Sequence, residues 1–255
     1  MMNDLDAATI EYRKILAEKD VYNKINEHYP GAIPSKDFVP KILDLLKDNG
    51  LEPENAFVGS ITCRDEVERK MRNYVNNAPF AAVFDLAVYG GNATYFNIKS
   101  LAPYKHHFEE PYYPCFILNV HTTMNKNGVL GKVERPTIEN ISLGCGALLG
   151  LLSKWHGGKF NPDHHWEFKS MEDTLSNYKD AILSLKNPEL EIKAITDKLY
   201  DLSMHHLTTT VKNGVVFGAV DINTDPGFED MSHFRDAVLI KTYEGTKSEI
   251  DLMNL

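Results

Sequence analysis

Ala56-Phe57-Val58-Gly59-Ser60-Ile61-Thr62-Cys63-Arg64-Asp65-Glu66 is the stretch that decides the fold. Its first six residues form an apolar run with β-branched and aromatic members, the composition of a strand buried on both faces. The run stops at Cys63, and charged side chains follow at once. From residue 66 to 76 the spacing turns helical, with Val67, Met71, Tyr74 and Val75 recurring on one side. A buried strand that feeds a helix is the unit of an α/β fold, and ligands of such folds gather at the carboxyl ends of the strands. A thiol, a guanidinium and a carboxylate stand in sequence at that place.

Further apolar runs repeat the pattern. Residues 81–88 read as a second buried strand, ended by Gly90-Gly91, and residues 115–120 as a third that stops at His121. Upstream, residues 4–28 read as a helix carrying Ile10, Ile15, Leu16, Val21 and Ile25. A breaker at residues 29–34 separates it from a second helix, with Phe38, Ile42, Leu45 and Leu46 inward and Asn49-Gly50 as its stop. Downstream lies a polar loop from 122 to 142, after which Gly144-Cys145-Gly146 opens an apolar helix. Residues 171–185 and 189–204 read as amphipathic helices, and Asn213-Gly214 signals a hairpin. The expected fold is α/β: a central, mainly parallel sheet flanked by helices, with C-terminal helices and a hairpin. One domain over 1–255 accommodates it, with N-terminal helices in 1–50, a core in 51–155 and an extension in 156–255.

Composition narrows the function. With 255 residues and 43% hydrophobic residues the chain builds a sizeable core. A net charge of −9, without a basic stripe, argues against nucleic acid as a partner. No apolar run reaches the roughly 20 residues that span a bilayer, so no membrane partner is expected. The N-terminal residues lack a basic, then apolar, leader and carry acid early, which points to the cytoplasm, or to an organelle if a presequence was trimmed. Three cysteines, an odd and small number, fit a reducing compartment better than a disulfide framework. Cys115, inside an apolar run, reads as core. Of the adjacent histidines, 106-107, 164-165 and 205-206, each pair diverges on regular structure and reads as structural or solvated.

Cys63, His121 and Cys145 share one description: each follows a predicted strand or opens a helix. If the strands are parallel neighbours, two thiols and an imidazole converge. That set is a good zinc shell, and three protein ligands leave a fourth position open. A helix N-terminus at Cys145 favours its thiolate.

Three motifs carry a family resemblance: Cys63-Arg64-Asp65-Glu66 preceded by Tyr29-Pro30-Gly31-Ala32-x-Pro34, then Gly128-x-Leu130-Gly131-Lys132-Val133-x-Arg135, then Ser142-x-x-Cys145-Gly146-Ala147. They resemble the limiting-CO2-inducible B/C family, the theta-type carbonic anhydrases related to the β class. The resemblance covers about residues 28–152. It implies a β-carbonic-anhydrase-like fold, a homodimer, and zinc on Cys63, His121 and Cys145. It also implies reversible hydration of carbon dioxide to bicarbonate and a proton, by hydroxide held on the zinc, with Asp65 and Arg64 as the catalytic pair. In that scheme Asp65 accepts the hydroxide's hydrogen bond, or else swings onto the metal and closes the site. Arg64 holds Asp65 ionised, and Asp65, His106 or His107 relays the proton. The usual β-class pattern has Arg after Asp and places the His and second Cys ligands three apart; here Arg64 precedes Asp65 and His121 and Cys145 are 24 apart, departures shared with the theta-type members. Neighbours on an extended chain point to opposite faces, which leaves the geometry of Arg64 and Asp65 open.

Two other readings use the same residues. A zinc-bearing member that does not turn over would serve as a carbon dioxide- or bicarbonate-related binding or scaffold protein. A thiol hydrolase would use Cys63 as nucleophile and His121 as base, without metal.

Overall fold

The computed structural model describes residue 16 and residues 18–96, 109–135, 138–159 and 165–254. The first helix, α1, is described over residues 18–28; the earlier part of the expected helix lies outside the described residues, as do His106, His107 and His164. The elements that follow are β1 (Ile33–Pro34), α2 (Ser35–Asp48), β2 (Ala56–Ile61), α3 (Arg69–Asn76), β3 (Ala82–Asp85) and β4 (Tyr113–Met124). Next come β5 (Lys132–Arg135), β6 (Ile138–Leu143), α4 (Gly146–Trp155), α5 (Trp166–Leu175), α6 (Lys179–Leu183) and α7 (Pro188–Thr210). The chain closes with β7 (Gly214–Thr224), β8 (Met231–Tyr243) and β9 (Thr246–Asp251).

Seven strands form one mixed sheet in the order β1-β8-β7-β4-β2-β3, with β9 also on β8. The inner strands β3, β2, β4 and β7 pair in parallel. The outer β8, β1 and β9 are antiparallel. Helices cover both faces, which explains why β2 and β4 read as unbroken apolar runs rather than as alternating ones. Along β4, Cys115 and Ile117 pack under α2 and α3 with Phe38, Ile42, Met71 and Val75. Phe116, Leu118 and Val120 turn to the other face, against Leu148 and Leu151 of α4, Phe168 and Met171 of α5, and Leu199 and Leu207 of α7. No helix among the described residues is long and apolar enough to cross a membrane.

Three expectations change. First, β4 does not stop at His121 but runs on to Met124, because residues 121–124 find partners from Asp221 to Thr224 of β7. His121, Thr122 and Thr123 are polar yet buried, so their composition imitates a loop. Second, Asn213-Gly214 makes no hairpin: α7 continues to Thr210, and Gly214 opens β7. The glycine is needed there for room, since a Cβ would lie 2.5 Å from the Pro114 carbonyl. The antiparallel turns fall instead between β7 and β8 and between β8 and β9. Third, residues 171–185 are not one helix; α5 ends at Leu175 and a 3-10 turn leads into α6.

The turn after β3 fastens the sheet's carboxyl edge. Val88 bridges to Cys63, and Gly91 sits at φ +72 with its Cα against β4, where a Cβ would come 2.5 Å from the Asn119 carbonyl. Backbone cannot yield as a side chain can, so Gly91→Ala should cost roughly 2 kcal/mol or more of stability. Urea unfolding of the metal-free protein checks this; an unchanged midpoint would show that the turn does not strap β4.

Candidate metal centre

Parallel pairing sets the ends of β2, β4 and β7 side by side. Cys63 lies two residues beyond β2, His121 lies in the last third of β4, and Cys145 is the N-cap of α4. Their donor atoms all fall within 4.8 Å of one another, and all three residues are buried. Tetrahedral zinc with bonds of about 2.0–2.3 Å holds its donors somewhat closer than that, so shifts on the order of an ångström close the shell. The His121 ring settles its own orientation. Its Nδ1 lies 2.8 Å from Asn223 Oδ1, and the Asn223 amide nitrogen donates to the Val67 carbonyl at 3.4 Å. The carbonyl end of Asn223 therefore faces the ring, Nδ1 carries the donated proton, and Nε2 turns to the sulfurs. Nε2 is buried and has no hydrogen-bond partner. An orphaned nitrogen beside two buried thiols is a donor set that fits a metal.

Two arginines hold this centre together. Arg72, on α3, donates to the Cys63 carbonyl at 2.6 Å and twice to the Asp65 carbonyl at 3.3 Å, fixing the loop that carries the first sulfur. Arg135, at the end of β5, grips both oxygens of Asp65 at 3.0 and 3.1 Å and also pairs with Glu66. The same guanidinium donates to the carbonyls of Leu143 and Gly144, so it ties the Cys63 loop to the turn before Cys145. Arg64 points elsewhere. It pairs with buried Glu167 of α5 at 2.8 Å and donates to the Ala87 carbonyl at 2.9 Å. Asp65 receives a further bond from the Val67 N–H, capping the short 3-10 turn that follows. A cleft of about 360 Å³ opens over the centre, lined by Cys63, Arg64, Asp65, Glu66, Tyr89, Gly146, Ala147 and Phe168.

Residues 32–241 match the family described as limiting CO2-inducible proteins B/C beta carbonic anhydrases. The chain belongs to this carbonic-anhydrase-like family. Among solved structures it is similar to PtLCIB4, a homologue of the limiting CO2-inducible protein LCIB: TM-score 0.76, 16% identity, 89% of this chain and 98% of that one covered. A point variant of the same protein aligns over 92% of this chain and 99% of its own, with TM-score 0.79 at 16% identity. LCIB itself aligns over 89% of this chain and 96% of its own, with TM-score 0.66 at 17% identity. Identities this low establish a shared fold. No curated protein matches the chain by sequence.

The family's carbonic-anhydrase-like sheet thus brings together Cys63, His121 and Cys145, the set proposed from sequence, and sets Asp65 beside them. It does not pair Arg64 with Asp65, contrary to expectation: in the bend after β2 Arg64 turns to Glu167, and the partner of Asp65 comes from 70 residues away. Arg135 stood in one of the quoted motifs, so a signal for it existed. Asn223 and Glu167 had none, because each acquires its role through a contact distant in sequence, and Arg72, only 9 and 7 residues from Cys63 and Asp65, reads in sequence as one more charged helix position. Of the histidine pairs, His165 packs against Tyr89 with ring centroids 4.7 Å apart and the planes tilted, and His205 and His206 lie in α7. Cys115 is buried core, and burial pushes its thiol up.

Charges inside the centre are coupled. A hydrogen bond from the Cys145 thiol, against the burial penalty and with help from the charge of His121, holds the Cys63 thiol well below its usual range. The Gly90 N–H adds a bond to Cys63 Sγ at 3.2 Å. Cys145, bonded to Cys63 and buried, is pushed well above the thiol range. Burial lowers His121, but the Cys63 thiolate and the nearby carboxylates outweigh it and lift the ring to about 10. These directions favour a thiolate on Cys63, a thiol on Cys145 and a protonated His121 in the metal-free centre. Metal requires both sulfurs and Nε2 deprotonated, so zinc uptake at pH 7 should release about two protons per ion, and apparent affinity should rise with pH. Proton release in weakly buffered solution measures this; fewer than one proton per ion would overturn the assignment.

Proposed function

We propose that this protein is a zinc-dependent carbonic anhydrase, a lyase interconverting carbon dioxide and bicarbonate. The observation that carries the reading is the buried Cys63–His121–Cys145 set, with a cleft of about 360 Å³ opening on Cys63 and Asp65. Zinc bound there would supply Lewis acidity and make hydroxide available near neutral pH. The chain's own residues do the rest. Asp65 is held by two Arg135 N–H donors and the Val67 N–H, so its carboxylate is fixed in direction beside the centre and presents an acceptor to a water in the cleft. Phe168, Tyr89, Ala147 and Gly146 give the cleft an apolar wall suited to an uncharged, linear substrate. A Cβ on Gly146 would meet nothing within 4 Å, so the glycine keeps open space at this wall. The first backbone N–H groups of α4, free of helical partners, favour an anionic product. Arg64 forms the rim through Glu167 rather than orienting Asp65.

Three free, buried cysteines support a reducing, cytoplasmic setting, or an organelle if a longer precursor carries a presequence. The family resemblance supports a homodimer and a small-molecule substrate, carbon dioxide or bicarbonate. The alternative, a metal-binding member that does not turn over, has one observation behind it: the Arg64 side chain stands in the cleft lining, tied to Glu167 and Ala87.

Metal analysis with stopped-flow carbon dioxide hydration tests the proposal. One zinc per chain and rapid, acetazolamide-sensitive hydration are expected; zinc without hydration would select the alternative, and no metal would return Cys63 to the thiol-nucleophile reading. Cys63→Ser should lose both stoichiometric zinc and activity. Asp65→Asn should keep zinc and lose about 10²-fold or more in kcat/KM, whereas Arg135→Gln, which frees Asp65, should fall between the two enzymes. An Asp65→Asn protein as fast as the parent would remove Asp65 from the mechanism.

A further inference from the structure

Two acceptors compete for the single Nδ1–H of His121. The Asn223 carbonyl holds it at 2.8 Å, and Glu68 Oε1 stands at 3.7 Å. Glu68 ends the Asp65-capped turn, its side chain is 0% exposed, and neither carboxyl oxygen makes a hydrogen bond of good geometry. A buried carboxyl with only the long contact to His121 and no hydrogen bond of good geometry is expensive to keep, and a residue of equal volume without charge would fill the same space at lower cost. The packing around it does not explain the acid. The charge of His121 and a polar contact from the Asn223 amide favour its ionised form, and the charges of Cys63 and Asp230 oppose it.

The chemistry of metal ligation supplies a reason. When Nε2 of an imidazole binds a cation, the ring is polarised and its Nδ1–H becomes a stronger donor. Ligating histidines accordingly give that proton to a carboxylate, a backbone carbonyl or water, and a charged acceptor binds it more strongly than a neutral amide. Bringing Glu68 from 3.7 Å to the 2.8 Å now held by Asn223 takes a movement of about 0.9 Å, a small adjustment for a side chain of three rotatable bonds.

We propose that Glu68 is a positioning residue for the metal: it takes the His121 Nδ1–H in the metal-loaded protein, while Asn223 holds that proton in the metal-free one. The proposal rests on the metal-binding half of the reading above and not on turnover. It adds a metal-linked exchange of partners behind the centre, on the side of His121 away from the cleft.

The test uses Glu68→Gln, which keeps volume and removes the charge. Zinc affinity, measured by competition with a chromophoric chelator, should weaken about 10–100-fold, while the thermal midpoint of the metal-free protein stays the same or rises. In nitrogen-edited NMR spectra of the parent protein, zinc should shift the His121 Nδ1 proton strongly downfield; in Glu68→Gln the shift should shrink. Glu68→Asp, which keeps the charge but falls one methylene short, should lie between the two in affinity and serves if the glutamine variant folds poorly. Affinity within twofold of the parent in both variants, or a Nδ1 proton that ignores zinc, would overturn the proposal. A parent protein that binds no zinc would overturn it together with the metal reading. A parent that binds zinc tightly and does not hydrate carbon dioxide would remove only the enzymatic reading, and Glu68 would still be judged by affinity.

Discussion

The parallel pairing of β2 with β4 and of β4 with β7 is the constraint on which the rest depends. Ile61 lies opposite Leu118, and His121 opposite Asp221. A slip of one residue would turn His121 away from its present face and bury it among the apolar side chains of the opposite layer. Correct register is enforced by the apolar residues before it, since Phe116 and Leu118 must meet one helical layer and Cys115 and Ile117 the other. Two hydrophobic cores thus aim one imidazole, and the thiols reach it from a loop and a helix start attached to the same sheet.

Around that frame, charge is managed in an unusual way for an acidic protein. Three arginines sit within a short radius, and each is committed to a different task. Arg72 holds main-chain carbonyls, Arg135 holds a carboxylate and the neighbouring turn, and Arg64 reaches across to α5. A planar guanidinium with several donors can serve two segments at once, which lysine cannot. This is how loops far apart in the chain keep a common geometry without a disulfide. The buried acids answer on the other side. Burial pushes Glu68 up to about 7, and Asp221, buried and near Glu68, is raised well above the carboxylate range while accepting from Ser232 at 2.5 Å. The layer behind His121 is therefore polar, whereas the wall in front of the cleft is apolar.

Much of the fold was legible because burial on both faces leaves a strong trace: the runs at 56–61 and 115–120 and the glycine-flanked helix start at 146 are strands and helix in the structure. The trace fails where buried residues are polar. Residues 121–124 look like a loop and are strand, because their polar groups are satisfied or sequestered by β7 and not by water. It also fails where a local signal is overruled. Asn213-Gly214 has the turn chemistry of a hairpin, but the preceding helix is held by long-range packing of Leu199 and Leu207 and runs through the positions a first strand would need.

By itself the sequence determined the α/β class and the buried runs that become inner strands, since these follow from apolar periodicity, and it pointed, through residue types at segment ends and the family resemblance, to Cys63, His121 and Cys145 as a cluster that could hold a metal. Only the tertiary structure decided which arginine holds Asp65, which amide orients His121, and that a fully buried carboxylate waits behind the ring. The physical reason is separation: those partners stand 70, 102 and 53 positions apart in the chain. Contacts of that kind arise from sheet register and helix packing, and no local pattern of residues encodes them.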